Sequence, residues 1–114
     1  MSRLPNAARA VISPEKLTKY CLNPLSRQGR HKARVFKAAL GYDLSNHSAL
    51  IAAIRDGIVK EPAEYQGETP HGRRWRVDLP ISGPAGRARV RTSWLYEGGS
   101  DVPRLTTAYV IGKR

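Results

Sequence analysis

The feature that most constrains the fold is a change in the spacing of apolar residues near the middle of the chain. Before Lys60 they recur three and four positions apart, as on one face of a helix. After Arg73 they alternate with polar residues, as in strands that have one buried face. Helices followed by such strands predict an α+β domain, with N-terminal helices packed on a C-terminal antiparallel β-meander. A length of 114 residues suits one domain over positions 1–114.

The helical part, about 13–60, is expected to hold three helices: the first and third start at capping residues, the second follows a glycine, and Pro or Gly lies at or near each end. They should run from Ser13 to Asn23, from about Arg30 to Leu40, and from Asp43 or Ser45 to about Ile58. The apolar positions expected to face the core are Leu17, Tyr20, Cys21, Val35, Phe36, Ala39, Leu40, Leu50, Ile51, Ile54 and Ile58.

The sheet part, about 64–112, shows three alternating segments: one around Trp75, one ending near Tyr96, and one from about Arg104 to Ile111. Turn residues at 83–86 and 97–101 separate them. Residues 61–72 contain two prolines and two glycines and are interpreted as an irregular connection. In the last segment, the two-residue spacing places Leu105, Thr107, Tyr109 and Ile111 on one side.

The chain is strongly basic, with 20 Lys and Arg against 9 Asp and Glu, a net charge of +11. Such a field favours a polyanionic partner, and nucleic acid leads because arginine binds phosphate in a two-pronged manner. A basic surface that only keeps the protein soluble is the plainer alternative. We expect no membrane association, signal peptide or disulfide, and a cytoplasmic location. The basic residues cluster at Arg27, Arg30, Lys32, Arg34 and Lys37, and at Arg73, Arg74, Arg76, Arg87, Arg89 and Arg91.

No nucleotide-binding loop, zinc helix or nucleophile elbow is present, and neither the histidines nor the carboxylates cluster in the sequence. We therefore expect no metal and no cofactor. Chemistry on RNA without a metal uses the substrate's own 2′-hydroxyl as nucleophile, and needs proton-transfer groups together with cations. His31 and Lys32 supply both types at an expected helix start, where anions are favoured. An ordinary exposed helix residue is the alternative for His31.

Four phrases of the sequence carry a resemblance: Leu4-Pro5-Asn6-Ala7, the run from Gly29 to Phe36, Val90-Arg91-Thr92-Ser93-Trp94, and the run from Pro103 to Val110. They resemble a family of small bacterial domains, found alone and at the C-terminal tips of polymorphic or contact-dependent toxins. The family is similar to the barnase–EndoU–colicin–RelE superfamily of ribonuclease toxins. The resemblance implies helices followed by a four-stranded antiparallel sheet, with the fourth strand near Tyr65, and metal-independent cleavage of RNA such as tRNA or mRNA.

The resemblance also implies a site and a protein partner. His31 would donate or accept a proton, Lys32 and Arg91 would stabilise the phosphate, Thr107 would orient it, and Tyr109 would be a second proton-transfer group or a platform for a base. The plainer alternative is that Tyr109 and Trp94 are core aromatics and that Thr107 is an ordinary strand residue. An acidic antitoxin or immunity protein would neutralise the activity. The residues expected to bind RNA are Arg30, Arg34, Arg74, Arg76, Arg87, Arg89, Trp94 and Arg104. Two alternatives remain: a non-catalytic nucleic-acid-binding module in which Trp75 or Trp94 stacks a base, and a basic protein that docks an acidic partner.

Overall fold

The computed structural model describes residues 2–113 and contains helices followed by a four-stranded sheet. The helices are α1 (Pro14–Lys16), which continues as a π-helical turn (Leu17–Cys21), α2 (Arg30–Leu40) and α3 (His47–Ile58). The strands are β1 (Ala63–Thr69), β2 (Gly72–Gly83), β3 (Gly86–Glu97) and β4 (Arg104–Lys113). Short 3₁₀ turns occupy Ala7–Arg9 and Leu44–Asn46. The expected α+β fold is confirmed.

The strands form an antiparallel meander in the order β1-β2-β3-β4, and the helices cover one of its faces. Alternation along β2 and β3 sends Val77, Leu79 and Val90 into the core, where each is fully buried. Phe36 of α2 and Ile54 of α3 are fully buried in the same cluster, as the helical spacing predicted. No helix among residues 2–113 is long and apolar enough to cross a bilayer.

Residues 61–72 were expected to be irregular, and this expectation is wrong for most of the segment. β1 pairs with β2 from Ala63 to Thr69, and Tyr65 lies opposite Trp75. The alternation is hidden because the register slips between Tyr65 and Gly67, and an edge strand buries little of its own surface. The fourth strand implied near Tyr65 is therefore present.

The last strand does not place all four of its expected residues on one side. Ser93 pairs with Thr107 but Trp94 pairs with Leu105, which leaves Thr106 as an extra residue. A bulge of this kind reverses the alternation, because two residues then oppose one. Leu105 is consequently 1% exposed in the core, whereas Thr107 and Tyr109 share the opposite face with Ser93 and Arg91.

The first helix also departs from its expected face. Leu17 and Cys21 are buried as expected, but Tyr20 is 44% exposed. The amide of Leu22 donates to the carbonyl of Leu17 at 2.8 Å, a bond five residues long that widens the turn. The wider turn changes the angle between successive side chains, so helical spacing no longer predicts which of them points inward.

Candidate functional site

The N-terminal turn of α2 brings a lysine onto the sheet. Lys32 Nζ donates a hydrogen bond to Thr107 Oγ1 at 3.1 Å. The same ammonium lies 5.5 Å from the centroid of the Tyr109 ring, which is cation–π distance. Thr107 and Tyr109 are two residues apart in β4 and so present both groups on one face. One lysine from the helical part thus joins two side chains of the last strand.

The start of α2 is held in place by close packing at Gly29. A Cβ atom on this residue would come within 1.8 Å of the Tyr20 carbonyl oxygen, so only glycine fits. The Gly29 amide donates to Ser26 Oγ at 3.0 Å, and the Ala33 amide donates to the Gly29 carbonyl at 2.9 Å. The π-helical turn and the first turn of α2 are therefore in direct contact. This contact fixes the backbone position from which the Lys32 side chain extends.

A second cation lies beside Tyr109 on the same sheet face. Arg91 of β3 is the register partner of Tyr109 in β4 and of Asp78 in β2. Its Nε and Nη2 donate to the two Asp78 carboxylate oxygens at 2.9 and 3.1 Å. This bonding lowers the pKa of Asp78, and Asp78 in turn holds the pKa of Arg91 above its usual value. The guanidinium is consequently fixed next to the tyrosine.

The two cations differ in how far their charge is balanced. Arg91 faces a carboxylate, with side-chain exposures of 28% for Arg91 and 21% for Asp78. Lys32 has a hydroxyl and a ring face as neighbours, and no carboxylate in the described residues forms an ion pair with it. An ammonium has three N–H donors and one of them bonds to Thr107, so at least one remains for an anion. Of these two cations, Lys32 is therefore the better placed to bind an anion.

Two hollows lie beside these groups, and the contact between Lys32 and Tyr109 links them. One, of about 280 Å³, lies between the π-helical turn, the start of α2 and β4. The other, of about 270 Å³, lies on the uncovered sheet face and includes Arg91 and Tyr109. The Tyr109 ring lies beneath Lys32 and also lines the second hollow. We therefore use the name cationic cleft for Lys32, Arg91, Thr107 and Tyr109 together with both hollows. The described chain holds no group of three His, Cys, Asp or Glu that could bind a metal ion.

His31 is the one proposed catalytic residue that the contacts do not join to the others. It is exposed in the first turn of α2. Successive residues of a helix point about 100° apart, so His31 does not share the direction of Lys32. Its role in proton transfer stays a prediction from the resemblance.

The arginines expected to bind RNA fall into two groups. Arg74 and Arg76 line the hollow on the sheet face, and Arg89 lies 3.9 Å from Asp78 beside it. Arg76 and Arg104 are each paired, with Glu64 at 2.7 Å and Glu97 at 2.9 Å, and Arg87 is exposed in β3 near the turn to β2. Arg30 and Arg34 instead line a separate groove on α2, about half a helical turn from Lys32. The helix cluster is thus divided between two surfaces.

The prediction that Trp94 stacks a base is wrong for this fold. Its side chain is fully buried, and its indole Nε1 donates to Thr92 Oγ1 at 2.8 Å inside the core. A ring enclosed on all sides cannot contact RNA. Trp75 is less buried and packs against Tyr65, whose centroid lies 5.4 Å away and which is 49% exposed.

Sequence reasoning missed the role of Asp78. Its carboxylate forms ion pairs with Arg91 and Arg89, so these two arginines can lie on one strand face without a bound external anion. The signal was available, since Asp78 and Arg91 lie at equal distances from the Gly83–Gly86 turn and are therefore register partners. Gln28 and Lys16, which line the hollow beside Lys32, carried no comparable signal because only the folded chain brings these segments together.

We expect Asp78→Asn to lower the free energy of unfolding by about 1–2 kcal/mol at pH 7, because a charge-assisted pair of partly buried groups is lost. The pKa of Asp78 is lowered in the folded state, so the pair stabilises above the unfolded-state value near 4. This stabilisation is lost as pH falls through the folded-state pKa, and the two proteins should converge in acid. Urea unfolding from pH 7 to pH 2.5 measures this. Glu97→Gln, which breaks the more exposed Arg104 pair, is the matched control and should change stability by less than about 0.5 kcal/mol.

The fold and the cleft define a class: a small α+β domain with uncompensated positive charge where a helix N-terminus meets a sheet face. Residues 3–112 match a family model described as a domain of unknown function, DUF6883, and the chain belongs to that family. A search of curated proteins found no match.

Proposed function

We propose that this protein is a metal-independent endoribonuclease of the toxin type, acting on cellular RNA such as tRNA or mRNA in the cytoplasm. The observation that carries the proposal is Lys32, an ammonium beside Thr107 and Tyr109 with no carboxylate partner in the described chain and at least one N–H donor free. A phosphate placed there would be within reach of a cation and a hydroxyl. The resemblance to ribonuclease toxins supports the choice of RNA.

The proposed reaction is an internal transesterification. The 2′-oxygen loses its proton and forms a bond to the adjacent phosphorus, while the bond from phosphorus to the 5′-oxygen breaks and that oxygen gains a proton. The products are a 2′,3′-cyclic phosphate and a 5′-hydroxyl. Lys32 and Arg91 would stabilise the charge that develops on the phosphate oxygens, and Thr107 would orient it. Tyr109 and His31 are the proposed groups for the two proton transfers.

RNA is proposed to cross the uncovered sheet face toward Lys32. Arg74 and Arg76 border the hollow that contains Arg91, and backbone phosphates would contact them. Each phosphate contact releases condensed counterions, so affinity for RNA should fall at least about tenfold between 50 and 200 mM salt. Fluorescence anisotropy with a labelled oligonucleotide at several salt concentrations measures the slope. An affinity that is independent of salt would exclude backbone binding.

Activity is expected to survive chelation, because every reacting group in the proposed steps belongs to the protein or to the RNA. Purified protein incubated with total RNA in excess EDTA should produce discrete fragments on a denaturing gel. The Lys32→Met protein, prepared in parallel, controls for contaminating nucleases. Cleavage that stops in EDTA and returns with magnesium or manganese would overturn the mechanism.

The proposed antitoxin or immunity protein would be acidic and would cover the cationic cleft. Opposite fields speed association, and a carboxylate of the partner could take the phosphate position at Lys32. A complex in which this cleft stays open to solvent would exclude this mode of inhibition.

One observation favours a second candidate, a nucleic-acid-binding module without catalysis. Tyr65 is 49% exposed and packs on Trp75, next to the hollow that Arg74 and Arg76 border. An exposed aromatic ring beside arginines is suited to stacking a base. Salt-dependent RNA binding without any cleavage, weakened by Tyr65→Ala, would select this candidate.

A further inference from the structure

A groove of about 540 Å³ runs along the side of α2 that faces away from the cationic cleft. Its floor is mainly aliphatic and comes from three segments: Leu22 and Pro24 after the π-helical turn, Ala33 of α2, and Leu44 of the turn that follows. None of the described residues that line it is aromatic. The groove shares no lining residue with either hollow of the cleft.

One wall of the groove is a row of cations. Arg30, Arg34 and Lys37 recur four and three residues apart in α2, so they point in one direction along about 10 Å of helix. The acid that lines the groove is Asp43, whose carboxylate accepts a hydrogen bond from the Ser45 amide at 2.9 Å and caps the next turn. None of the three cations forms an ion pair within residues 2–113.

Two exposed leucines belong to the segments that form this groove. Leu44 lines it and is 41% exposed, and Leu25, next to Pro24, is 90% exposed. The Leu25 amide donates to Asn23 Oδ1 at 2.8 Å, so a local turn orders the backbone that presents the side chain. Apolar side chains displayed around an apolar floor are typical of an interaction surface.

We propose that this groove, hereafter the α2 groove, docks an acidic amphipathic helix of a partner protein. Leucine-type side chains of the helix would fill the aliphatic floor, and its glutamates or aspartates would face Arg30, Arg34 and Lys37. A helix is favoured because the described residues that line the groove belong to a helix and two loops and to none of the four strands, so a partner strand could not extend the sheet there. RNA is disfavoured because the floor offers no aromatic ring on which a base would stack.

The inference does not depend on RNA cleavage. Arg30 and Arg34 point about half a helical turn away from Lys32, so the groove and the cleft can be occupied and mutated separately. Failure of the ribonuclease activity would leave the docking proposal intact, and failure of docking would leave the activity intact.

A synthetic helical peptide tests the proposal directly. The probe is a stapled, fluorescently labelled peptide of about 15 residues, with leucines three and four positions apart on one face and glutamates beside them. It should bind saturably in fluorescence anisotropy, and its amide shift changes should centre on Ala33, Leu44 and Leu25. Leu44→Glu and Arg34→Glu should each weaken binding about tenfold or more.

Matched variants make the result decisive. Val59→Glu places the same acid at an apolar position of similar exposure, 39%, outside the groove, and Arg9→Glu repeats the charge reversal on another surface. Both should bind the peptide as the natural protein does. No saturable binding, or equal weakening by the control variants, would overturn the proposal. Shift changes in the groove caused by an RNA oligonucleotide instead of the peptide would also overturn it and assign the groove to nucleic acid.

Discussion

Replacement of Lys32 by methionine should lower the rate of RNA cleavage at least about 100-fold while the melting temperature changes by no more than a few degrees. Methionine keeps most of the aliphatic stem but removes the ammonium that Thr107 and Tyr109 hold in place. Loss of a group that stabilises a transition-state oxyanion typically costs about 100- to 1000-fold in rate. Initial rates on a labelled oligonucleotide, together with thermal unfolding, measure the two effects.

Lys19→Met is the matched control, because its side chain is 65% exposed and pairs only with Glu15 on the surface. It should cleave RNA at the natural rate. If Lys32→Met and Lys19→Met cleave equally well, Lys32 has no catalytic role.

Arg91→Ala is a less selective variant, since it leaves the Asp78 carboxylate without its main partner and lowers stability as well. His31→Ala tests proton transfer separately, because this exposed residue has no packing to lose.

Trp94→Ala should destabilise the protein by about 3–5 kcal/mol, the largest stability loss expected from the variants described. The indole is fully buried in the core and donates to Thr92 Oγ1, so truncation leaves a cavity and removes a buried hydrogen bond. Urea denaturation followed by circular dichroism measures the loss. A variant that is unfolded at every accessible temperature would also agree with the prediction, because the loss would then exceed the stability of the natural protein.

Trp94→Phe separates packing from hydrogen bonding. It retains most of the apolar volume but leaves the Thr92 hydroxyl without its donor, so an intermediate loss of about 1–3 kcal/mol is expected. A Trp94→Ala protein that keeps its stability but binds RNA more weakly would contradict the buried position and restore the base-stacking role.

Periodicity predicted most of the fold. α2 runs from Arg30 to Leu40 as expected, because its core residues recur at helical spacing and Gly41 adopts the positive φ of 79° that ends a helix. β1 and the faces of β4 were not predicted, because bulges at Tyr65–Gly67 and opposite Ser93–Trp94 break a strict two-residue alternation. Where the backbone departs from regular geometry, residue spacing alone cannot assign a face.

The candidate site was predicted in part. The resemblance grouped Lys32, Arg91, Thr107 and Tyr109, and these four residues do lie together. Residue spacing could not predict why they lie together, because the position of Lys32 depends on the close contact between Gly29, at the start of α2, and the Tyr20 carbonyl. The sequence showed that the row of cations in the α2 groove is basic. It did not show that this row lies on a different surface from Lys32, which depends on the direction in which each side chain leaves the helix.

The proposed reaction is tested most directly by removing its nucleophile from the substrate. An RNA oligonucleotide that the protein cleaves is first mapped, and the nucleotide before the cleaved bond is then replaced by its 2′-deoxy form. In excess EDTA, the unmodified RNA should yield a 2′,3′-cyclic phosphate and a 5′-hydroxyl, and the substituted RNA should stay intact at that bond. Cleavage of the deoxy-substituted RNA at the same position, or fragments that carry a 5′-phosphate, would contradict attack by the 2′-hydroxyl.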